Sequence, residues 1–304
     1  ARHELEESDG DPITIAVHPS GDCFVCSTTN GGCKLFELYG QETHLQLSTK
    51  ELPPLLDAGP QKCLAFSVDG SRFAAGGVDG RLRILEWPTL RIIVDEVRAH
   101  KSFRDMDFSL DSEFLASTST DGSARIWKTE DGVPLMTLAR NSDEKIELCR
   151  FSKDGTKPFL FCTVQRGDKA VTAVYDISTW NKIGHKRLLG KPASVMSVSL
   201  DGKYLALCVC VSILDIHVIC VFVFTWLGSH EENRVGTDEM NEELEKEGRA
   251  EYGSKDGDIC VVEVKKMEIS HWNKRLHLGT SIASLEFCPI AGLYLQLLVS
   301  GEQW

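Results

Sequence analysis

The chain has 304 residues, 42% hydrophobic, 26% charged and 8% aromatic, a composition that can bury a large core and excludes collagen-like, coiled-coil and wholly disordered chains. That length suits two average domains or one large all-β domain. A net charge of −12 argues against a general nucleic-acid binder, which neutralises phosphates with clustered Lys and Arg.

Eleven cysteines without small-domain spacing, and a start without a basic-then-apolar signal pattern, indicate a reducing, cytosol-facing location. Cys23 and Cys26 form a C-x-x-C, but they lie in strand-like text with no second Cys or His pair at zinc spacing, so they read as core cysteines and no metal is assigned.

Self-comparison organises the rest. Five segments carry a hydrophobic residue, then Ser or His, then a turn ending in Gly or Ser: Val17-His-Pro-Ser-Gly21, Phe66-Ser-Val-Asp-Gly70, Phe108-Ser-Leu-Asp-Ser112, Phe151-Ser-Lys-Asp-Gly155 and Val198-Ser-Leu-Asp-Gly202. Their first residues are 49, 42, 43 and 47 positions apart, the period of a propeller blade. Apolar runs such as Phe73-Ala-Ala-Gly-Gly77 and Phe114-Leu-Ala-Ser117 follow, and Asp79-Gly80, Asp121-Gly122 and Asp256-Gly257 then lead into Leu82-Arg-Ile-Leu85, Ala124-Arg-Ile-Trp127 and Ile259-Cys-Val-Val262. Asp-Gly between apolar runs marks a hairpin, because both residues tolerate the positive φ of a tight turn. Four short strands per repeat predict an all-β β-propeller.

Residues 100–127 resemble a WD repeat, running from His100 to Asp121 to Trp127. The resemblance implies that Asp121 accepts a hydrogen bond from His100, with Ser117 or Thr118 and Trp127 completing a buried structural network. The other repeats carry Phe36, Leu85 and Val262 at the Trp position.

After Tyr204-Leu-Ala-Leu207 the repeat breaks. Residues 208–227 are apolar and long enough to span a bilayer as a helix, although Asp215 and His217 near the middle are costly there. An acidic tract over 229–251 follows, and residues 208–252 together carry −7, leaving −5 for the rest. A spanning helix inside one blade would separate neighbouring strands of one sheet, so an inserted segment of retained-intron or alternative-transcript origin is the preferred reading. The next blade start, Phe287-Cys-Pro289, lies 89 positions after Val198, and removing the 45 residues of 208–252 restores a spacing of 44. The chain therefore divides into propeller blades over 1–207, an insertion over 208–252 and a propeller continuation with a truncated end over 253–304. Seven blades are usual, so an incomplete ring is expected.

The ordered series Ala16-Val-His-Pro-Ser-Gly-Asp22, Cys33-Lys-Leu-Phe36, Leu64-Ala-Phe-Ser-Val-Asp-Gly70, Ala74-Ala-Gly-Gly-Val-Asp-Gly-Arg-Leu-Arg-Ile84, Trp87-Pro88 and Cys149-Arg-Phe-Ser152 resembles the Sec-twelve type of secretory-pathway exchange factor, including the plant Sec-twelve-like proteins and the phosphate transporter traffic facilitator. The likeness covers 11–207 and 253–289, or 234 of 304 residues. It implies a propeller on the cytosolic face of the endoplasmic reticulum membrane, held there by a C-terminal anchor that this chain is expected to lack. It also implies a partner, the small GTPase of COPII coats, whose GDP release the family promotes, alongside other secretory proteins or cargo. The family's exchange element is a glycine-rich, potassium-binding loop upstream of Ala16. Residues 1–15 hold Glu4, Glu6, Glu7, Asp9, Gly10 and Asp11 instead of a glycine run, so no exchange residue and no cofactor carries over. G-x-S-x-G, P-loop, H-E-x-x-H and dinucleotide-binding patterns are not found, and no catalytic residue is assigned. The alternatives are a generic WD-repeat scaffold without exchange activity and an integral membrane protein held by 208–227.

Overall fold

A computed structural model describes residues 10–41, 44–138, 143–156, 158–167, 169–188, 192–199, 202, 204–209, 220–225, 258–263, 268–273, 282–287 and 296–301. The described residues form strands, joined by turns and one short 3-10 helix at Pro53–Leu55. Two compact units share the chain: Ala1–Gly167 with Ala173–Gly184, and Asp168–Thr172 with His185–Trp304.

The first unit holds three four-stranded antiparallel sheets and most of a fourth, each with its strands in chain order. The first sheet comprises β1 Pro12–Val17, β2 Cys23–Thr28, β3 Cys33–Gln41 and β4 His44–Glu51; the second, β5 Gln61–Phe66, β6 Arg72–Gly77, β7 Leu82–Glu86 and β8 Ile92–Glu96. The third comprises β9 Phe103–Phe108, β10 Phe114–Ser119, β11 Ala124–Lys128 and β12 Pro134–Thr137; the fourth, β13 Glu144–Phe151, β14 Phe159–Arg166, β15 Lys169–Asp176 and β16 Lys182–Lys186. Val17, Phe66, Phe108 and Phe151, the residues that open the sequence repeats, each end the first strand of a sheet. Those first strands lie beside one another, β1 by β5, β5 by β9 and β9 by β13, as the inner strands of successive propeller blades do.

The middle sheets are apolar on both faces because each is packed on two sides. Leu64, Phe73, Ala75 and Leu85 join the first sheet's Ala16, Val25, Cys33 and Leu35 in one core. Their alternates Cys63, Ala74, Leu82 and Ile84 join Phe103, Met106, Leu115 and Trp127 in the next. A strand covered on both faces reads as a continuous apolar run instead of an alternating one, which explains Phe73-Ala-Ala-Gly-Gly77. Gly80 has φ +76°, and a Cβ there would lie 1.9 Å from the His100 carbonyl oxygen. The Asp79-Gly80 turn therefore requires glycine for both its φ and its close approach.

The second unit contains a four-stranded sheet ordered β17 Val195–Val198, β18 Tyr204–Val209, β20 Asp258–Glu263 and β21 Glu268–Asn273. Its second and third strands pair directly, Leu207 with Cys260 and Val209 with Asp258, although residues 210–257 separate them in sequence. The repeat text thus continues two residues past Leu207 before it breaks. A three-stranded sheet joins β19 Cys220–Thr225 to β23 Gln296–Gly301 and β22 Ile282–Phe287. Some of the apolar run 208–227 is therefore strand. Among the described residues no helix is long and apolar enough to cross a membrane. The acidic tract 229–251 and the Asp256-Gly257 turn lie outside the described residues.

Candidate functional site

The third sheet brings three of the sequence-selected residues together. Ser117 on β10 and Trp127 on β11 are buried, and His100 precedes β9. The Ser117 hydroxyl accepts the Trp127 indole N–H at 2.8 Å and lies 2.7 Å from His100 Nε2. The imidazole meets Phe103 edge-on with ring centroids 4.9 Å apart. Burial, and secondarily the charge of Arg125, pushes the His100 pKa down to about 4, so the ring is neutral at pH 7. Its Nδ1 has no hydrogen-bond partner.

Asp121 sits in the adjoining turn. Its carboxylate accepts the Ser123 backbone N–H at 2.9 Å and the Ser123 hydroxyl at 2.6 Å. Burial acts to raise its pKa, but the Ser123 hydrogen bonds outweigh it and the carboxyl is held below the usual range. His100 and Asp121 influence each other through charge, while the hydrogen-bonded hub is Ser117. Thr118 points elsewhere, its hydroxyl donating to the Glu147 carbonyl at 2.9 Å. A buried neutral ring, an indole and a hydroxyl bonded to one another hold a sheet together and offer no nucleophile to a ligand.

Sequence reasoning missed the seam between the third and fourth sheets. Asp105 on β9 accepts from the Cys149 backbone N–H at 3.0 Å and from Arg150 at 2.5 Å. Asp107 accepts from the Phe151 N–H at 2.7 Å and from Lys153 at 3.3 Å. The sequence signal is two acids at alternate positions of a strand whose apolar residues Phe103, Met106 and Phe108 are buried, Phe103-Arg-Asp-Met-Asp-Phe108.

An open groove of about 470 Å³ runs between the second and third sheets, with Trp87 and Ile93 in its wall. Glu86 and Arg91, at the β7–β8 turn in its wall, pair at 3.2 Å, and Arg72 bonds Thr129. Cys23 and Cys26 are three apart on a strand and so face opposite sides; only Cys23 joins the core shared with the second sheet. Burial, then the Asp22 contact, pushes the Cys23 thiol up to about 11. Residues 1–9, most of the stretch upstream of Ala16 in which a potassium-binding loop would fall, lie outside the described residues.

These sheets and their repeated turns define a WD-repeat protein of the β-propeller class, and the family model for the WD domain, G-beta repeat, matches residues 58–85 and 92–128. The chain is 57% identical over all 304 of its residues to SEC12-like protein 1 of Arabidopsis thaliana, and 27% identical over 285 residues, 91% of the chain, to SEC12-like protein 2 of the same plant. Periodic tryptophan protein 2 homolog of Dictyostelium discoideum is 33% identical over 129 residues, 40% of the chain and 13% of that protein. The chain belongs to the SEC12-like group of WD-repeat proteins. It spans 64% and 60% of the two SEC12-like relatives' lengths.

Proposed function

We infer that this chain is a docking propeller of the COPII secretory pathway, which binds the COPII small GTPase at the cytosolic face of the endoplasmic reticulum and serves protein export. The observation that carries the reading is the 57% identity to SEC12-like protein 1 along the whole chain. The site chemistry is compatible with docking: the hydrogen-bonded polar groups of the third sheet are buried, and the groove beside Trp87 is open. Propellers of this kind present rigid blade edges and turns to a protein partner, and their function lies in those surfaces, not in the fold itself.

The test uses the full chain with the purified GDP-bound COPII GTPase. Saturable binding at micromolar concentration, measured by calorimetry, is expected. Release of a fluorescent GDP analogue then separates docking from exchange, since only a protein that favours the nucleotide-free state over the GDP-bound one can accelerate release. An absence of binding at these concentrations overturns the reading and leaves a WD-repeat scaffold with a different partner.

A further inference from the structure

The first repeat turn departs from the others in a way its backbone does not require. Four turns close with the same pair of bonds. Gly21, Gly70, Ser112 and Gly202 donate N–H to the carbonyls of His18, Ser67, Ser109 and Ser199, and those four residues donate to the carbonyls of Cys23, Arg72, Phe114 and Tyr204. In three of the turns a serine does the side-chain work. The hydroxyls of Ser67, Ser109 and Ser199 each accept the N–H five residues on at 2.9 Å, and Ser67 and Ser109 donate to Asp69 and Asp111. The first turn has the same backbone without the Ser-x-Asp pair. It places His18 where the serine stands, Ser20 where the aspartate stands, and Asp22 and Cys23 where the second turn has Ser71 and Arg72.

These replacements gather three metal-binding atom types at one point. His18 Nδ1, an Asp22 carboxylate oxygen and Cys23 Sγ lie within 4.8 Å of one another, with Nδ1 and Oδ1 3.9 Å apart. The imidazole is anchored from its far side, where Nε2 lies 3.2 Å from the Gly70 carbonyl oxygen on the second sheet. A carbonyl only accepts, so Nε2 carries the proton and Nδ1 faces the cluster as an acceptor, where it takes the Ser20 backbone N–H at 3.2 Å. That is the outer-shell arrangement that orients histidines on metals. Phe66 packs edge-on to the ring at 5.0 Å and Trp87 lies at 6.0 Å, fixing its plane. The Ser20 hydroxyl donates its one hydrogen to the Asp22 carboxylate, and its oxygen lies beside Nδ1. The Asp22 side chain is 68% exposed against 16% for His18, which leaves an entry path from solvent.

We propose that His18, Asp22 and Cys23 form a Zn²⁺ site, with Nδ1, a carboxylate oxygen and Sγ as ligands and water in the fourth position. Tetrahedral zinc, with bonds of about 2.0 to 2.3 Å, sets its ligands roughly 3.5 Å apart; the ion draws the three atoms in from within 4.8 Å and replaces the Ser20 N–H and hydroxyl at Nδ1. On binding, the Cys23 S–H bond breaks, a sulfur–zinc bond forms and the proton leaves to solvent, so affinity rises with pH. The bound ion ties the first turn, through His18, to Gly70 of the second sheet.

The test is titration of the full chain with Co²⁺, whose tetrahedral thiolate complexes show a sulfur-to-metal charge-transfer band. One equivalent should develop the band and Zn²⁺ should abolish it. Cys23→Ser should lose the band and Asp22→Asn, at an exposed position where folding is not at risk, should weaken Co²⁺ binding at least tenfold. Cys26→Ala should keep both, with far-ultraviolet circular dichroism confirming the fold of each variant. A chain that gives no band, a band that survives Cys23→Ser, or one unaffected by Asp22→Asn overturns the proposal.

Discussion

Asp105 on β9 accepts at once from the Arg150 guanidinium at 2.5 Å and the Cys149 backbone N–H at 3.0 Å, both on the first strand of the next sheet. Asp107, two residues on, does the same for Phe151 and Lys153. An inner strand has one ladder edge paired within its own sheet, and the other must be answered or it recruits foreign strands. Here carboxylates from the neighbouring sheet answer it. Asp105→Ala would take the carboxylate partner from Arg150, which keeps its bond to the Cys149 carbonyl at 2.7 Å, and would leave the Cys149 N–H without the Asp105 acceptor in a buried seam, at a cost of about 3 kcal/mol. Urea unfolding should show this loss, whereas an exposed pair such as Glu86 and Arg91 should change stability by less than about 1 kcal/mol when broken. Equal midpoints for Asp105→Ala and wild type would show that the seam adds nothing to stability.

Within the third sheet, Ser117 serves both Trp127 and His100, while Asp121 is tied to Ser123. Ser117→Ala strands the Trp127 N–H in the core and should cost on the order of 1 to 3 kcal/mol. Asp121→Ala removes turn hydrogen bonds next to solvent and should cost about 1 kcal/mol. The order of the two melting temperatures decides the matter: a larger loss for Asp121→Ala would place the hub at Asp121.

The repeats were legible because their determinants are local. A hydrophobic residue, a Ser-x-Asp-Gly turn and a second Asp-Gly turn lie within one blade, and Val17, Phe66, Phe108, Phe151 and Val198 all end the first strand of a sheet. The seam was not legible, since Asp105 meets Arg150 only after two separate sheets pack. The WD likeness named Asp121 as the acceptor from His100 and left open whether Ser117 or Thr118 completes the network with Trp127; the structure has Ser117 between His100 and Trp127, a choice that depends on rotamers a pattern of residue types does not carry. The run around β19 reads equally as helix or strand, since a continuous apolar stretch has no period.

His100 supplies a pH dependence of known sign. Its pKa is about 4 in the fold against 6.5 ordinarily. Above pH 6.5 neither the folded nor the unfolded ring is protonated. Between 6.5 and about 4 only the unfolded chain takes up the proton, so stability is lost as pH falls through that window, by up to about 3 kcal/mol. His100→Gln removes the titration, and the slope of melting temperature against pH between 4 and 6.5 should flatten relative to wild type. Parallel slopes would mean that the ring protonates without disturbing Ser117.

The direct pairing of β18 with β20 predicts that their ladder does not need the sequence between them. Residues 210–252 include most of an apolar run and an acidic tract, and deleting them joins Val209 to Gly253-Ser-Lys-Asp-Gly257. That leaves five residues before Asp258, an ordinary hairpin loop length with glycine at both ends. Leu207 would still face Cys260, and Cys208 would still face Ile259, because a slip of one residue would turn the buried Leu205 and Leu207 to the other face. The same deletion removes β19 and so takes a strand from β23. The expected result is local: hydrogen exchange at the β18 and β20 amides stays slow in the deletion variant, while protection at β23 falls. Loss of protection in β18 and β20 together would show that residues 210–252 belong to that sheet's folding unit, and that they are not an insertion into it.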